Sequence, residues 1–103
     1  GLVGYVDKAS VTGGIAFGKV AMSPDYPSPN DHSWYTLGGV IGAMRDAVEI
    51  ARNEGRNRFD TAPYEGKSHY EAGTFTAGSG STSELKGKGN SADGTGAFVG
   101  SDK

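Results

Sequence analysis

Thr36 to Gly55 reads T-L-G-G-V-I-G-A-M-R-D-A-V-E-I-A-R-N-E-G, and the period assigned to this stretch decides the fold. Stepped round at about 100° per residue, Leu37, Val40, Ile41, Met44, Val48 and Ala51 fall on one stripe, with the i, i+3, i+4, i+7 spacing of a core-facing helix. Arg45, Asp46, Glu49, Arg52 and Asn53 fall opposite. Thr36 or Ser33 can cap the first turn through a side-chain oxygen, and Gly55 can turn left-handed after the last. The spacing predicts one main amphipathic helix over about residues 36–54.

Gly39, Ala43, Ala47 and Ile50 widen the apolar arc to roughly 200° of the circumference, more than one sheet face needs. Either loops of the same chain cover that flank or a partner subunit does. Arg52, Arg56 and Arg58 cluster at the end of the helix. They can complement its negative terminus or pair with an acidic neighbour. Together Gly39, Ala43, Ala47, Ile50, Arg52, Arg56 and Arg58 form the candidate interface.

On the N-terminal side, residues 1–22 read as a hairpin. Leu2–Val6 forms one short strand, Thr12-Gly13-Gly14 a turn, and Ile15–Met22 a second strand with Ile15 and Phe17 on one face. Residues 23–35 hold Pro24, Pro27 and Pro29, so neither a helix nor a central strand can run through them. Trp34 and Tyr35 stand just before the helix, where an apolar residue staples onto the first turn. Beyond the helix, residues 67–100 read as a β-meander of three glycine-punctuated strands. T-G-G-I-A-F-G-K at Thr12–Lys19 echoes T-G-A-F-V-G-S-D-K at Thr95–Lys103. Two glycine-flanked strands account for the echo without a repeat architecture, which needs several copies.

The fold expected is therefore α+β: one helix packed on an antiparallel sheet of short strands, in a single small domain spanning residues 1–103. With 35% hydrophobic residues and 18 glycines, the core is thin against the conformational entropy it must offset. Burial against neighbours would remedy this. Ten basic and twelve acidic residues, well mixed, leave no basic face for a nucleic-acid backbone. Without cysteine there is no disulfide and no thiolate chemistry. No apolar run reaches the ~20 residues of a membrane span. A start at Gly1 rather than methionine, with glycine, serine and threonine richness, favours a processed protein at the cell or virion surface or outside the cell.

Candidate chemistry is sparse. Asp31-His32-Ser33 holds the residue types of a hydrolytic triad, but neighbours on an extended loop point apart, and no G-x-S-x-G elbow supports them. His69 and Glu71 share a strand face at i, i+2, as two ligands of one metal would, but an exposed polar face explains the pair more cheaply. Asn90–Gly96 lacks the alternating oxygens and closing Glu of an EF-hand, and Asp93-Gly94 suits a hairpin turn. No catalytic residue, cofactor or metal site is expected. The function expected is a non-catalytic structural or interaction subunit of a larger surface assembly, such as a filament, pilus-like fibre or virion, with subunits of that assembly as partners. The alternative is a small ligand- or ion-binding protein lined by Trp34, Tyr35, His69 and Tyr70.

Overall fold

The fold was obtained as a computed structural model, which describes residues 1–21, 35–59, 70–77, 82–94 and 97–99. In chain order the elements are β1 (Val3–Asp7), β2 (Ser10–Thr12), β3 (Ile15–Val20), β4 (Tyr35–Gly38), β5 (Ile41–Arg45), β6 (Glu49–Ala51), β7 (Glu54–Phe59), β8 (Tyr70–Gly73), α1 (Thr82–Gly87) and β9 (Ser91–Ala92). Every strand pairing among the described residues is parallel: β1 with β5, β2 with β6, β3 with β7, β7 with β9, and β4 with β8. Partners lie a nearly constant distance apart in sequence. It is 38 residues from Val3 to Ile41, 39 from Ile15 to Glu54, 35 from Tyr35 to Tyr70 and 37 from Glu54 to Ser91. Such an offset means that the chain winds in coils, each laid on the one before. This is a parallel β-solenoid. The first coil carries β1–β4 and the second β5–β8. The third begins where Thr76 bridges Ile41 and carries α1 and β9.

The expected α+β architecture is thus overturned, and its parts fail for one reason. Residues 36–54 are not a helix but β4, β5, β6 and the first residue of β7, joined by tight corners. Residues 1–22 are not a hairpin, because β1, β2 and β3 pair with the second coil rather than with one another. The expected meander of residues 67–100 gives way to β8, α1 and β9, whose strands pair with β4 and β7. The proline-rich residues 23–34 lie outside the described residues.

Local chemistry favours the coils. Gly38, Gly39 and Gly42 weaken a helix by about 1 kcal/mol each, whereas a Cβ at Gly38 or Gly39 would collide with the carbonyl oxygens of Ile41 and Thr74 respectively. The corners need left-handed backbone, and they stack. Lys8 (φ 52°) precedes β2 as Asp46 (φ 49°) precedes β6, and Gly13 (68°), Arg52 (55°) and Gly89 (79°) occupy one corner of successive coils. Left-handed non-glycine residues are costly, and at the corner where Arg52 stands between Gly13 and Gly89 the residues packed beside it compensate.

That compensation is an asparagine ladder. Asn53 and Asn90 stand one residue after the left-handed corner in coils two and three, 1% and 6% exposed. The Asn53 side chain donates from Nδ2 to Val11 O (2.8 Å) and to Asn90 Oδ1 (3.1 Å), and its Oδ1 accepts from Gly14 N–H (2.9 Å). Asn90 Oδ1 also accepts from Asn53 N–H (3.0 Å), while Asn90 Nδ2 donates to Ile50 O and Leu85 O (both 2.7 Å). Backbone groups that the corner removes from the ladder are therefore satisfied by amides. Beside them runs the apolar interior of Val6, Ala16, Val40, Ile41, Met44, Ile50, Phe75 and Leu85.

Asn53→Ala leaves Val11 O and Gly14 N–H without their amide partner and Asn90 Oδ1 with one donor in place of two, and is expected to lower the unfolding free energy by about 2–4 kcal/mol, read from the denaturant midpoint at unchanged slope. Asn53→Asp should not rescue it, since a carboxylate cannot donate to Val11 O. Thr74 Oγ1 is buried without a hydrogen-bond partner among the described residues. Thr74→Val should therefore leave the same midpoint unchanged or raise it, by up to about 1 kcal/mol.

Candidate interaction surface

Along β7 more buried and more exposed residues alternate, and β3 begins in the same way. In β3, Ala16 is buried while Ile15 and Phe17 are 50% and 64% exposed. Register with β7 continues the outer face: Ile15 lies beside Glu54, Phe17 beside Arg56 and Lys19 beside Arg58. Arg56 is engaged from two sides. Its Nε donates to Glu54 Oε1 (2.8 Å), a second guanidinium nitrogen sits 2.7 Å from the same oxygen, and its charge lies 5.9 Å from the centre of the Phe17 ring. Half exposed, this pair contributes at most about 1 kcal/mol. The face is polarised along the strands, with the acid Glu54 where they begin and the cations Lys19 and Arg58 where they end.

The two ends of the solenoid differ. At the C-terminal end α1 lies across the interior with Leu85 buried. Phe98 stacks on Phe75, ring centres 4.8 Å apart, and Phe75 N–H donates to Ala97 O. Thr82 Oγ1 donates to Phe98 O, and Lys86 sits 5.3 Å from the Phe98 ring. Strands at both ends pair on one side only among the described residues, β1, β2 and β3 at the N-terminal end and β6, β8 and β9 toward the other, but the N-terminal end has no counterpart of α1 or of the phenylalanine stack. The ladder stops there too. Gly14 stands where the later coils carry Asn53 and Asn90, and the Leu2 side chain occupies the space beside it. Among the described residues the exposed large apolar side chains are Leu2, Tyr5, Ile15, Phe17, Val48 and Val99. The first four belong to the first coil. At the equivalent outward positions the second coil has Ala43, Glu54 and Arg56 in place of Tyr5, Ile15 and Phe17.

The residues expected to form an interface do not share one surface. Gly39 and Ile50 are buried, the first in a corner against Thr74, the second in the core. Ala43 is half-buried beside Tyr5, and Ala47 packs against the core. Arg52 is an exposed corner residue whose N–H donates to Lys88 O. Arg56 and Arg58 do come together, on the outer face of β7. Of the alternative binding set, Trp34 and His69 lie outside the described residues, as do Asp31, His32 and Ser33, while Tyr35 and Tyr70 are paired in register on β4 and β8. Asn90 belongs to the ladder, and Asp93 N–H donates to Gly55 O, so the Asp93-Gly94 step continues a parallel coil rather than turning a hairpin.

The surface that the structure singles out, Tyr5, Ile15 and Phe17 on unpaired strands, is half visible in the sequence. Alternation in Ile15–Met22 sorts Ile15 and Phe17 onto one face; which face is wet depends on the coil beside it. No family model matches the chain, and no curated protein or solved structure matches it.

A Cβ at Gly39 meets backbone rather than a movable side chain, so Gly39→Ala should cost about 1–3 kcal/mol in the denaturant midpoint, as an interior position does. Arg58→Ala, at an exposed site, should stay within about 0.5 kcal/mol of the native chain.

Proposed function

We propose that this protein is a non-catalytic structural subunit of a surface assembly, and that its first coil is where further copies of the chain attach. The observation that carries the reading is the inequality of the two ends. One is closed by α1 and the Phe75–Phe98 stack, while the other presents strand edges flanked by exposed apolar side chains.

Unpaired strand edges are templates for another strand, and proteins that stay alone blunt them with charge, proline or a cover. Solenoids need polar or capped terminal coils to remain soluble. Here β1 and β3 carry Tyr5, Ile15 and Phe17 on their outer faces, with Asp7 and Lys19 as the charges of those strands. Strand addition at such an edge draws its strength from main-chain hydrogen bonds and its selectivity from the side chains on either face. It asks for no catalytic group and no cofactor. The low apolar content favours it as well: a solenoid buries little per coil, so covering an end coil is a large fractional gain in burial.

Sedimentation of the native chain should show mass rising above the monomer as concentration increases. The double substitution Ile15→Lys with Phe17→Lys, both at exposed outward positions, should abolish the rise while leaving the melting transition in place. A native chain that stays monomeric at every concentration overturns the reading.

A further inference from the structure

The composition of β3 goes further and describes its own partner. We infer that two copies associate about a two-fold axis through Phe17, with the free edge of β3 pairing antiparallel to β3 of the second copy. The inference rests on the first coil being the contact surface.

Register limits how two such edges can pair. Residues facing each other across an antiparallel pair share a face, so a pairing that slips by one residue sets outward against inward side chains. This removes every arrangement in which Ile15 faces Val20. With Phe17 on the axis, Ile15 faces Lys19 of the copy, Ala16 faces Gly18, and Phe17 faces Phe17. The outward set meets the outward set, and buried Ala16 meets Gly18, which is exposed, left-handed (φ 97°) and without a side chain to clash. An axis through Lys19 would oppose two like charges, which destabilises a strand pair.

Charge on the second strand separates the remaining choices. Glu54 lies beside Ile15, Arg56 beside Phe17 and Arg58 beside Lys19. About Phe17, the two-fold brings Lys19 of one copy beside Ile15 of the other and, one strand further, beside Glu54. Two strand spacings of about 4.8 Å put these Cα atoms roughly 10 Å apart, within reach of the two side chains. With the axis through Gly18 instead, Lys19 would come beside Arg56, cation against cation. The polarity of the face, acid at the start of the strands and base at the end, is therefore self-complementary under an antiparallel two-fold and not under the neighbouring one. The Phe17 rings, each 64% exposed, would meet on the axis.

The absence of cysteine from the chain makes the test direct. Phe17→Cys puts one thiol per copy on the axis and should give a disulfide-linked dimer under mild oxidation. Val48→Cys, 73% exposed and off β3, should stay unlinked under the same conditions. Should loss of the aromatic ring weaken the pair, the double variant Ile15→Cys with Lys19→Cys keeps Phe17. Its two thiols are about 13 Å apart within one strand, too far to join, so any disulfide must run between copies. Linkage in either variant, with Val48→Cys unlinked, supports the two-fold. A native chain that associates in solution while neither variant links overturns this register and leaves the first coil as a contact surface. A native chain that is monomeric throughout removes both.

Discussion

Asn53 makes four hydrogen bonds through its side chain and its N–H, two of them to Asn90, and reaches from Val11 and Gly14 in the first coil to the third. The remainder of the solenoid depends on this contact because of where it stands. A parallel coil can close only if the backbone turns sharply between short strands, and here it does so through left-handed residues, one of them Arg52. The corner removes amide and carbonyl groups from the strand ladders and buries them, and a buried unpaired group costs about 1–3 kcal/mol. A primary amide supplies two donors and an acceptor in one small side chain. It can serve the coil before and the coil after at once, which a serine or an aspartate cannot.

The same corner explains which parts of the fold are legible in the sequence. The helical stripe of residues 36–54 passes through Leu37, Val40, Ile41, Met44, Val48 and Ala51, and all but Val48 are buried. The pattern reports burial correctly and conformation wrongly. Strands of three to six residues joined by corners break the alternation of a strand every few positions, and the surviving inward residues then fall at intervals of three and four. Those are helical intervals. Gly38, Gly39 and Gly42 speak against a helix, but a tally of apolar spacing gives them no weight. The repeat is hidden for a related reason. Partners such as Tyr5 and Ala43, or Phe17 and Arg56, share a place without sharing chemistry, and only the inward positions, Val6 with Met44 or Val11 with Ile50, keep their character.

The candidate interface shows the converse. Arg56 and Arg58 group together because they are close in sequence, and two residues apart on a strand does put them on one face. Gly39 and Ile50 join them only if a helix carries all four. Without the helix the grouping dissolves, and Gly39 is small because the Thr74 carbonyl lies against it, not because a partner does. The first coil cannot be singled out from sequence, since Ile15 and Phe17 stand out only against Glu54 and Arg56 at the equivalent outward places of the next coil. No local pattern encodes that.

What sets the first coil apart is a difference between equivalent places. Parallel pairing gives each coil the same outer face, so a residue of one coil can be compared with its partner in the next as though it were a substitution. Passing from the second coil to the first, Glu54 becomes Ile15, Arg56 becomes Phe17 and Ala43 becomes Tyr5. All three changes enlarge apolar surface, and they occur on the coil at the end that α1 does not cover. A coil that met only water would be driven the other way, toward charge, because an exposed edge with apolar flanks is prone to unwanted pairing. At the opposite end the chain devotes a helix, a buried leucine and a pair of stacked phenylalanines to closure. The first coil has no such cover among the described residues, and the apolar side chains it displays are of the kind that strand addition would bury.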